Sequence, residues 1–211
     1  MKESFSEENF YTTCDLLGSK DRDLQAVLDE WGYPPMWTRP NRFDTLVLTI
    51  LEQQVSLASA YAAYKKLKEK IGLITPQRLL ELNDETLRSC YFSRQKIIYT
   101  RGLASAILAR GLSLKKLEGQ DNETVRATLK QFKGIGDWTV DIYLIHVLQR
   151  MDIFPLGDLA LVNAIRMVKQ LPGATKEELL VLSEKWRPYR TIATMIFWHY
   201  YIKKKNIKLL H

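Results

Sequence analysis

The sequence is poor in cysteine, in long apolar runs and in strand-like alternation of apolar and polar residues. Its two cysteines, Cys14 and Cys90, lie far apart and have no partner at metal-ligand spacing, which argues against a zinc site or an iron–sulfur cluster. No apolar run approaches the roughly 20 residues of a membrane span, and residues 1–10 lack the apolar core of a signal peptide. We therefore expect reduced thiols, no membrane contact and a cytoplasmic location.

The composition permits a compact folded protein with a polyanionic partner. A length of 211 residues fits one domain or two small lobes, and a hydrophobic content of 46% can fill their cores. Lys and Arg number 31 against 24 Asp and Glu, which gives a net charge of +7. Composition alone leaves open whether this charge attracts a nucleic acid or only keeps the surface soluble.

Apolar residues recur at helical spacing from Asp23 onward, and short breaks of Gly, Pro, Asn and Ser separate the segments. The predicted fold class is therefore all-α. The predicted helices cover residues 24–31, 59–71, 76–81, 84–89, 94–110, 114–117 and 122–131, with a further one that starts near Asn41. The helix that starts near Asn41 has a buried stripe and a polar end, from Gln53 to Ser56, that is free to meet a ligand.

At residues 129–140 a Gly-x-Gly turn joins two predicted helices without a longer loop between them. Gly134 and Gly136 are expected to adopt backbone angles closed to other residues and to let another backbone approach, with their amides facing a phosphate. Ile135 is expected to pack inward and hold the turn. The next helix starts near Asp137, so its N-terminal amides and the charge of Lys133 add to phosphate attraction. An ordinary tight helical connection is the alternative.

A second break, FPLGDLAL at residues 154–161, ends one helix and places Asp158 at the entrance of another. Taken alone, an aspartate there is most simply an N-cap. Together with residues 132–140, however, this break resembles the hairpin and the Gly/Pro-rich loop with aspartate of the helix-hairpin-helix glycosylase superfamily. Within that superfamily the chain is most similar to alkylation-repair enzymes of the AlkA (3-methyladenine glycosylase) type. Residues 43–56 and the stretch from Trp186 to Trp198 also resemble enzymes of this type, so the resemblance spans roughly residues 24–200.

The resemblance implies an architecture and a chemistry. It implies two helical lobes, residues 41–150 and residues 1–40 with 151–211, with Asp158 in an active-site cleft between them. In the family this aspartate stabilises the positive charge that develops on the sugar as the base leaves. Bifunctional members carry a lysine at the position of Trp138, so the absence of an amine there predicts that water attacks and that no lyase activity follows.

The resemblance also assigns a base pocket. Trp138 and Trp198 match positions whose rings line the pocket, where cation–π contact with an alkylated base contributes about 0.5 to 2 kcal/mol. Ile142 stands where the family often has a tyrosine, and Tyr143 points about 100° away around the helix and does not replace it. His146 is either polar lining or a satisfied core histidine, and the second interpretation is favoured.

The remaining implied DNA contacts lie at helix ends. Gln53 and Gln54 align with the loop that fills the gap left by the extruded base, and Gln54 is the matching wedge. Further contacts are expected from the hairpin, which includes Asp137, and from Ser56. Ser93-Arg94-Gln95-Lys96 resembles a second phosphate-contact turn, in which Arg94 and Lys96 carry the charge.

The expected function is a monomeric, monofunctional glycosylase of base excision repair. It would flip N-alkylated purines, such as 3-methyladenine or 7-methylguanine, out of double-stranded DNA, and it would lie at the nucleoid if the cell is prokaryotic. No metal site or cofactor is expected, and a monovalent cation that bridges the hairpin carbonyls to a DNA phosphate is left open. Two alternatives remain: a neutral lesion such as hypoxanthine or uracil, or a non-catalytic DNA-binding module.

Overall fold

The computed structural model describes residues 4–208, and its regular structure is helical. Within that range no strand forms, and an isolated bridge pairs Ser4 with Arg150. The predicted all-α fold class is confirmed. In chain order the helices are α1 (Glu7–Lys20), α2 (Arg22–Trp31), α3 (Phe43–Glu52), α4 (Leu57–Ile71), α5 (Pro76–Glu81), α6 (Asp84–Ser89), α7 (Arg94–Leu108), α8 (Leu114–Leu117), α9 (Asn122–Lys130), α10 (Asp137–His146), α11 (Leu159–Val168), α12 (Lys176–Ser183) and α13 (Arg190–Lys204), with a 3-10 turn at Glu184–Trp186.

The first of two compact units comprises residues 4–38 and 144–208. Its centre is α13, in which every residue from Thr191 to His199 is buried. Helices α1, α2 and α11 pack around α13, and α12 packs on α11. Each large apolar side chain buried in this way contributes about 1.5 to 3 kcal/mol. The last turn of α10, which includes His146, belongs to this unit.

The second unit comprises residues 39–143 and is also built around one buried helix. In α3, Phe43 and every residue from Thr45 to Glu52 are buried. Helices α4 and α7 pack against α3, and α5 and α6 pack against α7. Because α3 is enclosed along its length, its C-terminal turn is held in place, and this turn leads to Gln53 and Gln54.

The predicted helices differ from the structure at several points. Helix α2 begins at Arg22 and α3 at Phe43 rather than at residue 24 and near Asn41, α9 ends at Lys130 rather than at residue 131, and no helix was predicted over α12 or α13. Helix α1 was not predicted, although Phe10, Cys14 and Leu17 are buried at helical spacing, because weak helix formers such as Thr and Gly interrupt the pattern. Helix α7 ends at Leu108 rather than Arg110, whose φ of 57° is left-handed. Helix α4 begins at Leu57, two residues earlier than predicted, after Ser56 as its N-cap.

No helix between residues 4 and 208 combines the length and the apolar character that crossing a membrane requires.

Candidate functional site

The hairpin of the second unit connects α9 to α10 through residues 131–136. Gly134 has a φ of 87°, and a Cβ there would collide with the ring of Tyr99. Ile135 is buried, and its N–H donates to the Phe132 carbonyl at 3.0 Å. Gly134 is therefore required by the fold, and Ile135 anchors the turn as expected.

Gly136 differs from Gly134, and the expectation that its backbone angles are closed to other residues is wrong. Its φ lies outside the left-handed region, and a Cβ there would meet no atom of the described chain within 4 Å. Gly136 is also exposed. Its backbone angles therefore do not demand glycine, and the absence of a side chain leaves open space on the surface beside the first turn of α10.

The charges around the hairpin are paired so that the acidic group is neutralised. Asp137 receives the Lys130 ammonium at 2.8 Å and the Arg126 guanidinium at 3.2 Å. The bond from Lys130 lowers the pKa of Asp137. Arg126 also contacts the buried Asp141 at 2.6 Å. Lys133 is exposed at the turn itself, so the hairpin presents a cation while the acid beside it is compensated.

The two glutamines after α3 point to different partners. Gln53 donates from Nε2 to the Gly134 carbonyl at 2.8 Å and to Thr139 Oγ1 at 2.9 Å. Gln54 is exposed and has a left-handed φ of 59°, a conformation that costs a non-glycine residue about 1 kcal/mol. The side chain of Gln53 is thus hydrogen-bonded to the hairpin, whereas the side chain of Gln54 is exposed to solvent.

The other predicted phosphate contacts are distributed over two helix starts. Ser56 caps α4, and its hydroxyl accepts from the Ser59 N–H at 3.2 Å. Arg94 is exposed in the first turn of α7. Lys96 instead donates from Nζ to the Leu51 carbonyl at 2.7 Å, and its burial lowers its pKa. The ammonium of Lys96 therefore caps the end of α3, which makes Arg94 the stronger candidate for a phosphate.

Helix α10 carries the predicted aromatic position and its neighbours. Trp138 is half-buried in the first turn. Ile142 is 5% exposed, and Tyr143 is fully buried with its hydroxyl donating to Asn41 Oδ1 at 2.7 Å. Tyr143 therefore faces the core, as expected from its position around the helix. The small exposed fraction of Ile142 leaves it little surface for a base.

In the first unit, Asp158 caps α11. Its Oδ1 accepts from the Leu161 N–H at 2.8 Å and from the indole N–H of Trp198 at 3.0 Å. The turn before it is closed by the Asp158 N–H, which donates to the Pro155 carbonyl at 2.8 Å. The carboxylate is half-exposed at a helix N-terminus, where the helix dipole favours negative charge. It is accessible, negative and held in one orientation.

Trp198 and His146 form a stacked pair beside Asp158. Their ring centroids are 5.5 Å apart and the rings are inclined by 16°. His146 Nδ1 lies 2.9 Å from the Trp37 carbonyl, and because a carbonyl only accepts, Nδ1 carries a proton. His146 is 8% exposed, in agreement with a satisfied core histidine.

Sequence reasoning missed the links between distant segments. Trp198 and Asp158 are 40 positions apart, and the partners of Gln53 lie 81 and 86 positions away from it. No spacing rule relates such positions. The residue types alone offered a signal, since an indole N–H and a primary amide both need a partner when buried.

Comparison with known proteins identifies relatives of this chain. Residues 47–188 match the model of the HhH-GPD superfamily of base excision DNA repair proteins. The Bacillus subtilis protein YfjP is 30% identical over 184 residues, which cover 83% of this chain but just 64% of YfjP. A Schizosaccharomyces pombe protein named DNA-3-methyladenine glycosylase 1 is 34% identical over 173 residues, covering 76% of this chain and 75% of that protein.

A solved structure is similar as well. The S. pombe 3-methyladenine DNA glycosylase Mag1, determined in complex with abasic DNA, superposes with a TM-score of 0.82 at 30% identity. The alignment covers 89% of this chain and 95% of that one. The resemblance drawn from residues 132–140 and 155–161 is confirmed, and the chain belongs to the HhH-GPD superfamily of base excision DNA repair proteins.

Proposed function

We propose that this protein is a monofunctional DNA glycosylase that removes N-alkylated purines, of the 3-methyladenine or 7-methylguanine type, from duplex DNA. The observation that carries the proposal is Asp158, a half-exposed carboxylate fixed by two hydrogen bonds at the start of α11. Membership of a base excision repair superfamily and the names of the relatives support the reaction class.

The chemistry follows from the charge of the reacting sugar. Positive charge develops at the anomeric carbon as the bond to the base breaks, and a preoriented carboxylate stabilises it by several kcal/mol. Water then adds to that carbon, and the products are a free base and an abasic site. Trp138 offers no amine for a covalent imine, so the sugar–phosphate strand stays intact.

The DNA backbone is proposed to bind at the hairpin and at the start of α7. Gly136 leaves room for a phosphate beside the N–H groups at the start of α10, and Lys133 and Arg94 supply exposed positive charge. Exposed Gln54 is the proposed wedge. The Phe132 and Gly134 carbonyls, which accept hydrogen bonds from the Ile135 N–H and from Gln53, would hold a monovalent cation that adds positive charge beside a phosphate.

The preference for an alkylated base is proposed to come from Trp138, a half-buried indole whose electron-rich ring would attract a cationic base. A base without positive charge gains less from this contact. The neutral-lesion alternative predicts equal or faster release of hypoxanthine or uracil, and the binding-module alternative predicts no release of any base.

The deciding experiment uses duplexes with one lesion each: 7-methylguanine, 3-deaza-3-methyladenine, hypoxanthine or uracil. We expect release of the alkylated bases and strand cleavage only after added alkali. Asp158→Asn should lower the rate at least about 100-fold with little change in DNA affinity. Asp21→Asn is a matched control, since Asp21 also caps a helix and accepts an indole N–H. Full activity of Asp158→Asn refutes the catalytic assignment.

A further inference from the structure

The indole of Trp198 is oriented toward the carboxylate rather than toward open space. Its N–H donates to Asp158 Oδ1 at 3.0 Å, and just 8% of its surface is exposed. A base that stacks on an indole needs a free ring face of its own size. Little of Trp198 is available for such stacking, whereas its polar edge already has a partner.

His146 covers one face of the same indole. The two rings are nearly parallel, inclined by 16° at 5.5 Å, and the bond between His146 Nδ1 and the Trp37 carbonyl fixes the imidazole. Rotation of the indole away from Asp158 would therefore have to displace a hydrogen-bonded ring. The stack restricts Trp198 to the orientation in which its N–H meets Asp158.

We propose that Trp198 is a positioning residue for Asp158 and that His146 holds Trp198 in place. This inference rests on the proposed function. A bond from N–H to a carboxylate is charge-assisted and directional, so it confines the carboxylate to one rotamer. Electrostatic stabilisation of a reacting sugar depends on that placement, since a displacement of about 1 Å can reduce a rate by about 100-fold. The indole thus acts on the rate through Asp158 rather than through base binding.

The chain contains a second copy of the same arrangement, which serves as an internal control. In the first unit, Asp21 caps α2 and accepts the indole N–H of Trp186 at 2.8 Å. Trp186 is 1% exposed, and Lys169 pairs with Asp21. Within residues 4–208 a helix-capping carboxylate is thus bound by a buried tryptophan at Asp158 and at Asp21, and only Asp158 is proposed to take part in the reaction.

The test compares Trp198→Phe with Trp186→Phe. Phenylalanine keeps an aromatic ring and removes the N–H donor in both cases. Single-turnover release of 7-methylguanine would be measured with saturating enzyme, and affinity would be measured on a duplex that carries a tetrahydrofuran abasic analogue. We expect Trp198→Phe to lower the release rate about 10- to 100-fold with an affinity within about twofold of wild type. Trp186→Phe should leave both quantities unchanged below its melting temperature.

A second variant keeps the inference testable if Trp198→Phe does not fold. His146→Leu removes the covering ring and leaves the indole N–H in place, so we expect a smaller fall in the same rate, again with unchanged affinity. Release by folded Trp198→Phe within twofold of wild type, or an equal loss of affinity and rate, overturns the positioning role. So does a His146→Leu variant with full rate. A wild-type protein that releases no base overturns the proposed function itself.

Discussion

The side-chain amide of Gln53 donates to the Gly134 carbonyl across 2.8 Å, so the turn after α3 is tied to the hairpin. Gln53→Glu is nearly isosteric but cannot donate, and it places a negative charge against a carbonyl dipole. We expect the free energy of unfolding to fall by about 1 to 3 kcal/mol and DNA affinity to fall with it. Urea unfolding and DNA titration would measure the two effects.

The neighbouring Gln54 provides the contrast. Because its side chain is exposed, Gln54→Ala should change the free energy of unfolding by less than about 0.5 kcal/mol while it slows base release, as the loss of a wedge would. Equal destabilisation by the two changes would contradict the different partners assigned to them.

The two hairpin glycines should respond differently to alanine. Gly136→Ala is expected to leave the melting temperature unchanged and to weaken DNA binding at least about tenfold, because its methyl group occupies the open space proposed for a phosphate. Gly134→Ala is expected to destabilise the fold by more than about 1 kcal/mol, from left-handed strain and the collision with Tyr99. Thermal unfolding and salt-dependent titration distinguish them.

Gly102 supplies the control for these substitutions. It lies within α7, and a Cβ there would meet no atom of the described residues within 4 Å. Alanine should therefore stabilise the helix by about 0.5 to 1 kcal/mol without changing DNA binding. Normal DNA affinity of Gly136→Ala would argue against backbone contact at the hairpin.

Arg126 compensates a buried carboxylate. Asp141 is 7% exposed, and burial raises its pKa despite the Arg126 guanidinium at 2.6 Å. Arg126→Met leaves this charge unpaired, so we expect a loss of about 3 kcal/mol at pH 7. Because the folded pKa is raised, the folded state binds the proton more tightly, and the deficit should shrink as pH falls toward 5. Urea unfolding at both values measures it.

The double variant Arg126→Met with Asp141→Asn isolates the cause. Without a charge at position 141, most of the lost stability should return and the difference between pH 7 and pH 5 should disappear. A single variant as unstable at pH 5 as at pH 7 would show that the loss comes from packing instead.

Asp21 should contribute to acid sensitivity. Burial acts to raise its pKa, but the bonds from Lys169 and Trp186 outweigh this and lower it. A lowered folded pKa stabilises the protein above the unfolded value near 3.8, and that contribution is lost as pH falls through the folded pKa. Asp21→Asn should therefore lower the melting temperature at pH 6, with a gap to wild type that narrows below pH 4. Asp29→Asn, an exposed substitution on the same helix, serves as the surface control.

Local features of the sequence were enough to place the hairpin and most of the helices, although α1, α12 and α13 were not predicted. Helices α5, α6 and α8 were predicted with their observed ends, and each follows a residue type that favours the N-cap position: Thr75, Asn83 and Ser113. The break in the segment 154–161 placed Asp158 at the entrance of a helix, and Asp158 caps α11. The candidate site was assigned from the resemblance to a known superfamily, because that resemblance combines two separate segments, residues 132–140 and residues 155–161.

Other parts could not be predicted because they depend on tertiary contacts. Nothing near Gly136 in the sequence distinguishes its ordinary φ from the left-handed φ of Gly134, and the ring of Tyr99, which a Cβ at position 134 would meet, comes from the distant helix α7. The bond from Lys96 to the Leu51 carbonyl likewise depends on tertiary packing. A basic side chain that stays exposed and one that caps a distant helix can occur in the same local sequence, so the local sequence does not distinguish them.

The ring of Tyr99 behind Gly134 also constrains how this hairpin can evolve. A lineage that gains a side chain at position 134 must first shrink the residue at position 99, and even then it must choose a residue, such as asparagine, that tolerates left-handed backbone. Substitutions at positions 134 and 99 should consequently appear together among descendants of this chain, with the change at position 99 first, while changes at position 136 should be limited by the proposed contact with DNA.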